Sequence, residues 1–138
     1  MQPPTILALD VGSKRIGVAI ADRELRFAKP LTTLANDNDF WRQLEDIILA
    51  QNVAQLVVGL PRGLEGQETA QTRAVLQFIE QLQQHVQIPL ATQDEALTSV
   101  KAEEELVARG KPFGKGEVDA LAATYILEDY VQSQGIAQ

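Results

Sequence analysis

The chain has no cysteine and only one histidine, His85, among its 138 residues. The first absence removes disulfides, thiolate nucleophiles and thiolate zinc sites. The second rules out a histidine-rich zinc site and leaves no Ser-His-Asp chemistry unless His85 serves as the base. No stretch approaches the roughly 20 apolar residues that a membrane span requires, and Met1-Gln2-Pro3-Pro4 does not read as a signal peptide. No membrane partner is expected, and a cytoplasmic location fits. Positive charge is scarce: 12 Lys and Arg against 19 Asp and Glu leave a net charge of −7. That balance opposes strong non-specific binding to nucleic acid, which rests on cationic contacts to phosphate. It leaves room for an enzyme that gathers carboxylates around divalent cations, since the metal supplies the missing positive charge. Chemistry in this chain therefore falls to carboxylates, hydroxyls, lysine or arginine.

What is present is ordinary globular material, 45% apolar and 22% charged, and it predicts one domain over residues 1–138. Thr5 to Asp10 and Arg15 to Ala21 are short apolar runs separated by Val11-Gly12-Ser13-Lys14, the pattern of an antiparallel hairpin. Phe27 to Leu34 predicts a third strand, with Pro30 marking an edge. The periodicity then turns helical, with caps among Asn36 to Asp39 and an apolar face of Phe40, Leu44, Ile47 and Ile48. Leu56 to Gly59 reads as a buried strand and Leu60 to Gly66 as a loop. Val75, Phe78, Ile79 and Leu82 define a second helix, and Pro89 to Gln93 a fifth strand. A third helix is capped by Thr98 or Ser99 and ended by Gly110; the last runs from Val118 to Val131. The order βββαβαβαα predicts an α/β fold, its first three strands antiparallel and the later ones parallel through crossovers.

Three acidic points stand out. Asp10 ends the first strand, where open α/β sheets place their ligands, and Gly12 and Gly17 would let an anionic ligand approach the backbone. Asp94 and Glu95 end the fifth strand; adjacent side chains on a strand point to opposite faces, so at most one meets Asp10. Asp119 heads a helical stripe that continues as Ala122, Ala123, Ile126 and Tyr130, which turns a charge inward. Together these carboxylates could hold one or two hard cations, Mg²⁺ or Mn²⁺, of the kind that activate water for phosphodiester hydrolysis. Lys14, Arg15, Arg62, Lys111 and Lys115 lie in loops or at strand starts, where they could touch phosphates. His85 is expected to be exposed, and Trp41 to serve packing rather than base stacking.

At these residues the chain resembles a known family. Ile6-Leu7-Ala8-Leu9-Asp10-Val11-Gly12-Ser13-Lys14-Arg15-Ile16-Gly17-Val18-Ala19 is similar to the opening motif of the YqgF family, ribonuclease-H-like proteins described as Holliday junction resolvases and as pre-16S rRNA nucleases. The likeness continues through Val57-Val58-Gly59-Leu60-Pro61 and Gly66, then Asp94-Glu95 with Leu97-Thr98-Ser99-Val100 and Ala102. It ends in Lys115-Gly116-Glu117-Val118-Asp119, Ala122-Ala123 and Ile126-Leu127. The resemblance implies a ribonuclease-H-like mixed five-stranded sheet with helices on both faces. It implies a cytoplasmic metal-dependent nuclease acting in 5′-end processing of pre-16S ribosomal RNA, with branched DNA as the alternative substrate. Asp10, Glu95 (or Asp94) and Asp119 would form the acidic site, and the protein would be a monomer or homodimer. Two positions depart from the family pattern: Ala96 stands where an arginine usually follows the Asp-Glu pair, and Arg62-Gly63 where an asparagine is usual. Two other classes compete, a phosphate-binding ATPase sharing the Asp-x-Gly hairpin, for which one domain is too small, and a non-catalytic nucleic-acid or ribosome-associated module.

Overall fold

The computed structural model describes residues 3–22, 27–96 and 98–134. Its strands are β1 (Thr5–Val11), β2 (Arg15–Asp22), β3 (Ala28–Ala35), β4 (Val53–Pro61) and β5 (Leu90–Glu95). Its helices are α1 (Phe40–Ala50), α2 (Ala70–His85), α3 (Thr98–Arg109) and α4 (Lys115–Ser133). The sheet order is β3-β2-β1-β4-β5, with β1, β2 and β3 antiparallel and β4 and β5 parallel to β1, as the alternation of elements predicted. Pro30 sits on the edge strand beside a register shift, where its missing N–H costs no ladder bond.

Side-chain alternation sorts the strands into two faces of different size. Leu7, Leu9, Val11, Ile16, Val18, Ile20, Leu56 and Val58 meet α1 and α2 through Phe40, Leu44, Val75, Phe78, Ile79 and Leu82. Each fully buried residue of this size contributes about 1.5–3 kcal/mol of apolar burial. The opposite face is built from smaller residues, Ala8, Ala19 and Ala21 beside Ile6 and Val57, under Ala123, Ile126, Leu127, Tyr130 and Val131 of α4. Small residues bring α4 close to the sheet, and glycine brings it closer at two points. A Cβ on Gly17 would lie 2.0 Å from the carbonyl oxygen of Asp119, and one on Gly59 2.4 Å from Ile126 Cδ1. Gly17 is thus covered by helix backbone, not held open for a ligand as its position after the hairpin suggested. Gly12 is likewise occupied in the turn, its N–H donating to Arg15 O at 2.9 Å.

Several boundaries differ from the sequence expectation. β4 runs on through Leu60 and Pro61, which pair with Asp94 and Glu95 of a correspondingly longer β5. α3 starts at Thr98 itself, so Thr98 and Ser99 are helical rather than caps outside the helix. α4 starts at Lys115, where Glu117 accepts from Gly114 N–H. Ala122 turns from the sheet toward Ala102 and Leu106 of α3. As expected, Gly110 closes α3 with φ +74°, and His85 is exposed. The Trp41 ring packs on it at 4.1 Å between centroids and on Phe78 at 5.4 Å.

Candidate active site

The ends of β1 and β5 open on a cleft of about 260 Å³ lined by Asp10, Glu95, Arg62, Thr98 and Ser99. Asp10 enters it because even-numbered positions of β1 face α4, and Glu95 because β5 alternates so that Ala91 and Glu95 share that side. Asp94 points the other way, exposed, and accepts from Arg62 Nε at 3.3 Å. Of the adjacent acidic pair, Glu95 is therefore the one that meets Asp10, and Asp94 lies outside the cleft lining.

Asp119 reaches this place from the other end of the chain. Gly17 pairs with Asp10 across β1 and β2, and the Asp119 backbone rests on Gly17. The chain thereby puts Asp119 one strand from Asp10. Thr33 holds the same stretch of α4, its Oγ1 donating to Gly116 O at 2.5 Å. The Asp119 carboxylate accepts from Arg15 Nε at 2.6 Å. Because α4 starts at Lys115, the first helical turn belongs to Glu117, and the macrodipole gives little account of Asp119 in the second turn.

The electrostatics of the cleft are those of crowded carboxyls. Burial, and then the charge of Asp119, raise the Asp10 pKa to about 6. Glu95 is raised to about 8, first by burial and then by Asp129, which faces it at hydrogen-bonding range. That bond exists only while one of the two carboxyls holds a proton, and Glu95 Oε1 is buried with no hydrogen-bond partner. Lys101 opposes the shift from α3. Sequence reasoning missed both Asp129 and Lys101. The signal for Asp129 was available, because 119, 122, 126 and 129 follow helical spacing from Asp119. Lys101 carried none, since its position depends on how α3 docks.

These raised values fix the sign of a pH effect. Glu95 holds its proton in the folded chain where it would lose it unfolded, so the stability this confers is present below its ordinary range and lost as pH rises through about 8. In metal-free thermal melts, wild type should gain on a Glu95→Gln variant as pH falls from about 9 to about 5. A difference independent of pH would contradict this environment for Glu95.

Among the described residues no three acidic or histidine side chains form a ready coordination sphere, since Asp119 is drawn to Arg15 and Glu95 to Asp129. The donor chemistry still fits a hard divalent cation. Asp10 and Glu95 share one cleft, one carboxylate oxygen there is buried without a partner, and every candidate ligand is oxygen. Around the carboxylates stand the cations: Arg62 in the cleft wall, Lys14 exposed in the β1–β2 turn and Lys115 exposed at the head of α4. Arg15 is engaged by Asp119, and Lys111 is exposed in the α3–α4 loop. Ala96 lines the cleft itself, the position where the family pattern has arginine.

The family model described as RuvX, Holliday junction resolvase, matches residues 4–133. The chain belongs to the RuvX family. This is the YqgF family indicated by the sequence motifs. A protein of Chloroflexus aggregans, provisionally named a pre-16S rRNA nuclease, is 40% identical over 138 residues, 97% of this chain and 97% of its own length. One from a Sulfurihydrogenibium strain, named likewise, is 38% identical over 128 residues, 91% of this chain and 88% of its own. Among solved structures, Thermus thermophilus RuvC in complex with a Holliday junction substrate superposes with a TM-score of 0.56 at 16% identity, covering 97% of this chain and 98% of that one. Fowlpox virus resolvase with its junction DNA gives 0.51 at 12% identity, covering 94% and 98%. These likenesses show the ribonuclease-H-like fold of RuvX family members, and the five-stranded mixed sheet is that fold.

Proposed function

We propose that this RuvX family chain is a divalent-metal-dependent nuclease that hydrolyses phosphodiester bonds in the precursor of 16S ribosomal RNA. The observation that carries the reading is the meeting of Asp10 and Glu95 in one cleft with Asp119 packed one strand away. Asp10, Glu95 and Asp119 would hold Mg²⁺ or Mn²⁺, with Asp94 left outside. A metal held there would polarise the phosphate and lower the pKa of an attacking water. The chain's own residues do the rest. Arg62, Thr98 and Ser99 offer donors to the phosphate from the cleft wall, while Lys14 and Lys115 meet the flanking backbone. Arg15 pairs with Asp119 and would balance its charge in the metal-free chain.

RNA is favoured because relatives near 40% identity over almost their whole length carry the ribosomal RNA name. Branched DNA is the second reading, favoured by the family's description as a Holliday junction resolvase. Incubating the purified chain and Mg²⁺ with a 16S precursor fragment and, separately, with a four-way DNA junction tests the choice. Cleavage of the precursor at discrete sites is expected; cutting of the junction alone would move the substrate to DNA.

Ala96 supplies a further test. Its methyl lines the cleft where an arginine could grip a phosphate. Ala96→Arg should tighten nucleic-acid binding and steepen the slope of log affinity against log salt by about one unit. Unchanged affinity and slope would show that this position does not reach phosphate.

A further inference from the structure

Gln71 lines the catalytic cleft and also a second cavity of about 520 Å³ between α2 and the β1–β2 turn. That groove begins at Val11 and Gly12, immediately after Asp10, and its outer wall is Gln71, Gln77 and Gln81 of α2. The three glutamines are exposed, and Ala74 between them leaves the space open. Opposite stands Ser13; Asn36 has committed its side-chain amide to Gly12 O at 2.8 Å and so braces the turn. None of the described lining residues is charged, in a chain that is 22% charged and carries −7 overall. A polyanion leaving an acidic cleft would be repelled by carboxylates and held fast by lysines; neutral amides hydrogen-bond phosphate, sugar and base edges without either effect. From Gln71 to Gln81 the helix covers about 15 Å, the length of roughly four stacked nucleotides.

We propose that the groove between α2 and the β1–β2 turn is a subsite for the nucleic-acid strand whose phosphodiester occupies the cleft, held there by Ser13, Gln77 and Gln81 through uncharged hydrogen bonds. It rests on the nuclease reading and adds to it the path of the flanking strand. The test is binding of a single-stranded RNA to a Gln77→Ala/Gln81→Ala variant across a salt series. Both positions are exposed and alanine favours helix, so folding is preserved. Affinity should fall about tenfold with no change in salt slope, because neutral contacts release no counterions. Undiminished affinity, or a slope altered by a full unit, would overturn the subsite. The absence of native cysteine permits a second measurement, with a photoreactive azide on Gln81→Cys and a control on Glu104→Cys of α3. RNA should crosslink at the first position and not the second. Crosslinking without cleavage would keep the subsite and remove the nuclease reading; cleavage without crosslinking would do the reverse.

Discussion

Replacing Asp119 with asparagine should lower metal-dependent cleavage by at least roughly a hundredfold while leaving the protein folded. Asparagine keeps the shape and can still accept from Arg15, which meets the present carboxylate at 2.6 Å. It loses the charge that would draw in a cation. Two effects on stability oppose each other. The ion pair is lost, but the Arg15 side chain is 39% exposed, so the pair is worth at most about 1 kcal/mol. Asp10, in turn, is relieved of a neighbouring charge that raises its pKa. The melting temperature should therefore stay within a few degrees of wild type. A structural Asp119 would give the same melt with full activity, so the cleavage assay separates the two roles and the melt confirms that the variant is folded. Undiminished cleavage would remove Asp119 from the site.

Gly17→Ala should have the largest effect on folding of any single methyl added to the chain. The new Cβ would sit 2.0 Å from the Asp119 carbonyl oxygen and 2.3 Å from its carbon, both backbone atoms that no rotamer change can move. α4 must lift from the sheet, opening the contacts of Ala123 and Ile126 and moving Asp119 away from Asp10. A cost of about 3 kcal/mol or more is expected, lowering the melting temperature by roughly 10 °C and abolishing cleavage with it. Gly12→Ala, whose Cβ would lie 2.8 Å from Arg15 O, should be milder because the turn can adjust. A Gly17→Ala protein that melts and cleaves like wild type would mean that α4 is not pinned here.

The parts of this fold that show in the sequence are those set by local periodicity. Helical spacing marked Val75, Phe78, Ile79 and Leu82 as one face of α2, and all four are buried; strand alternation is the other such pattern. The same alternation limited the adjacent acids to one inward member, and Glu95 is that residue. What depends on one element docking on another was hidden. Gly17 reads as a hairpin glycine until α4 lies across it, and Ala122 reads as sheet-facing until α3 covers it. Pro61 suggests a turn, yet ends a strand because β5 extends alongside it. Arg15 looks like a free phosphate contact, but Asp119 holds it from the far end of the chain. Asp129 was missed although its spacing from Asp119 was legible, because charge on a long helix usually faces solvent.

Cleavage of a 16S precursor RNA by wild type and Asp10→Asn, each with Mg²⁺ and with the metal chelated, tests the central claim most directly. The acidic-site account predicts discrete products only for wild type with Mg²⁺, and none after chelation or for Asp10→Asn in either condition. Cleavage that persists when metal is removed, or that Asp10→Asn performs as well as wild type, would contradict it.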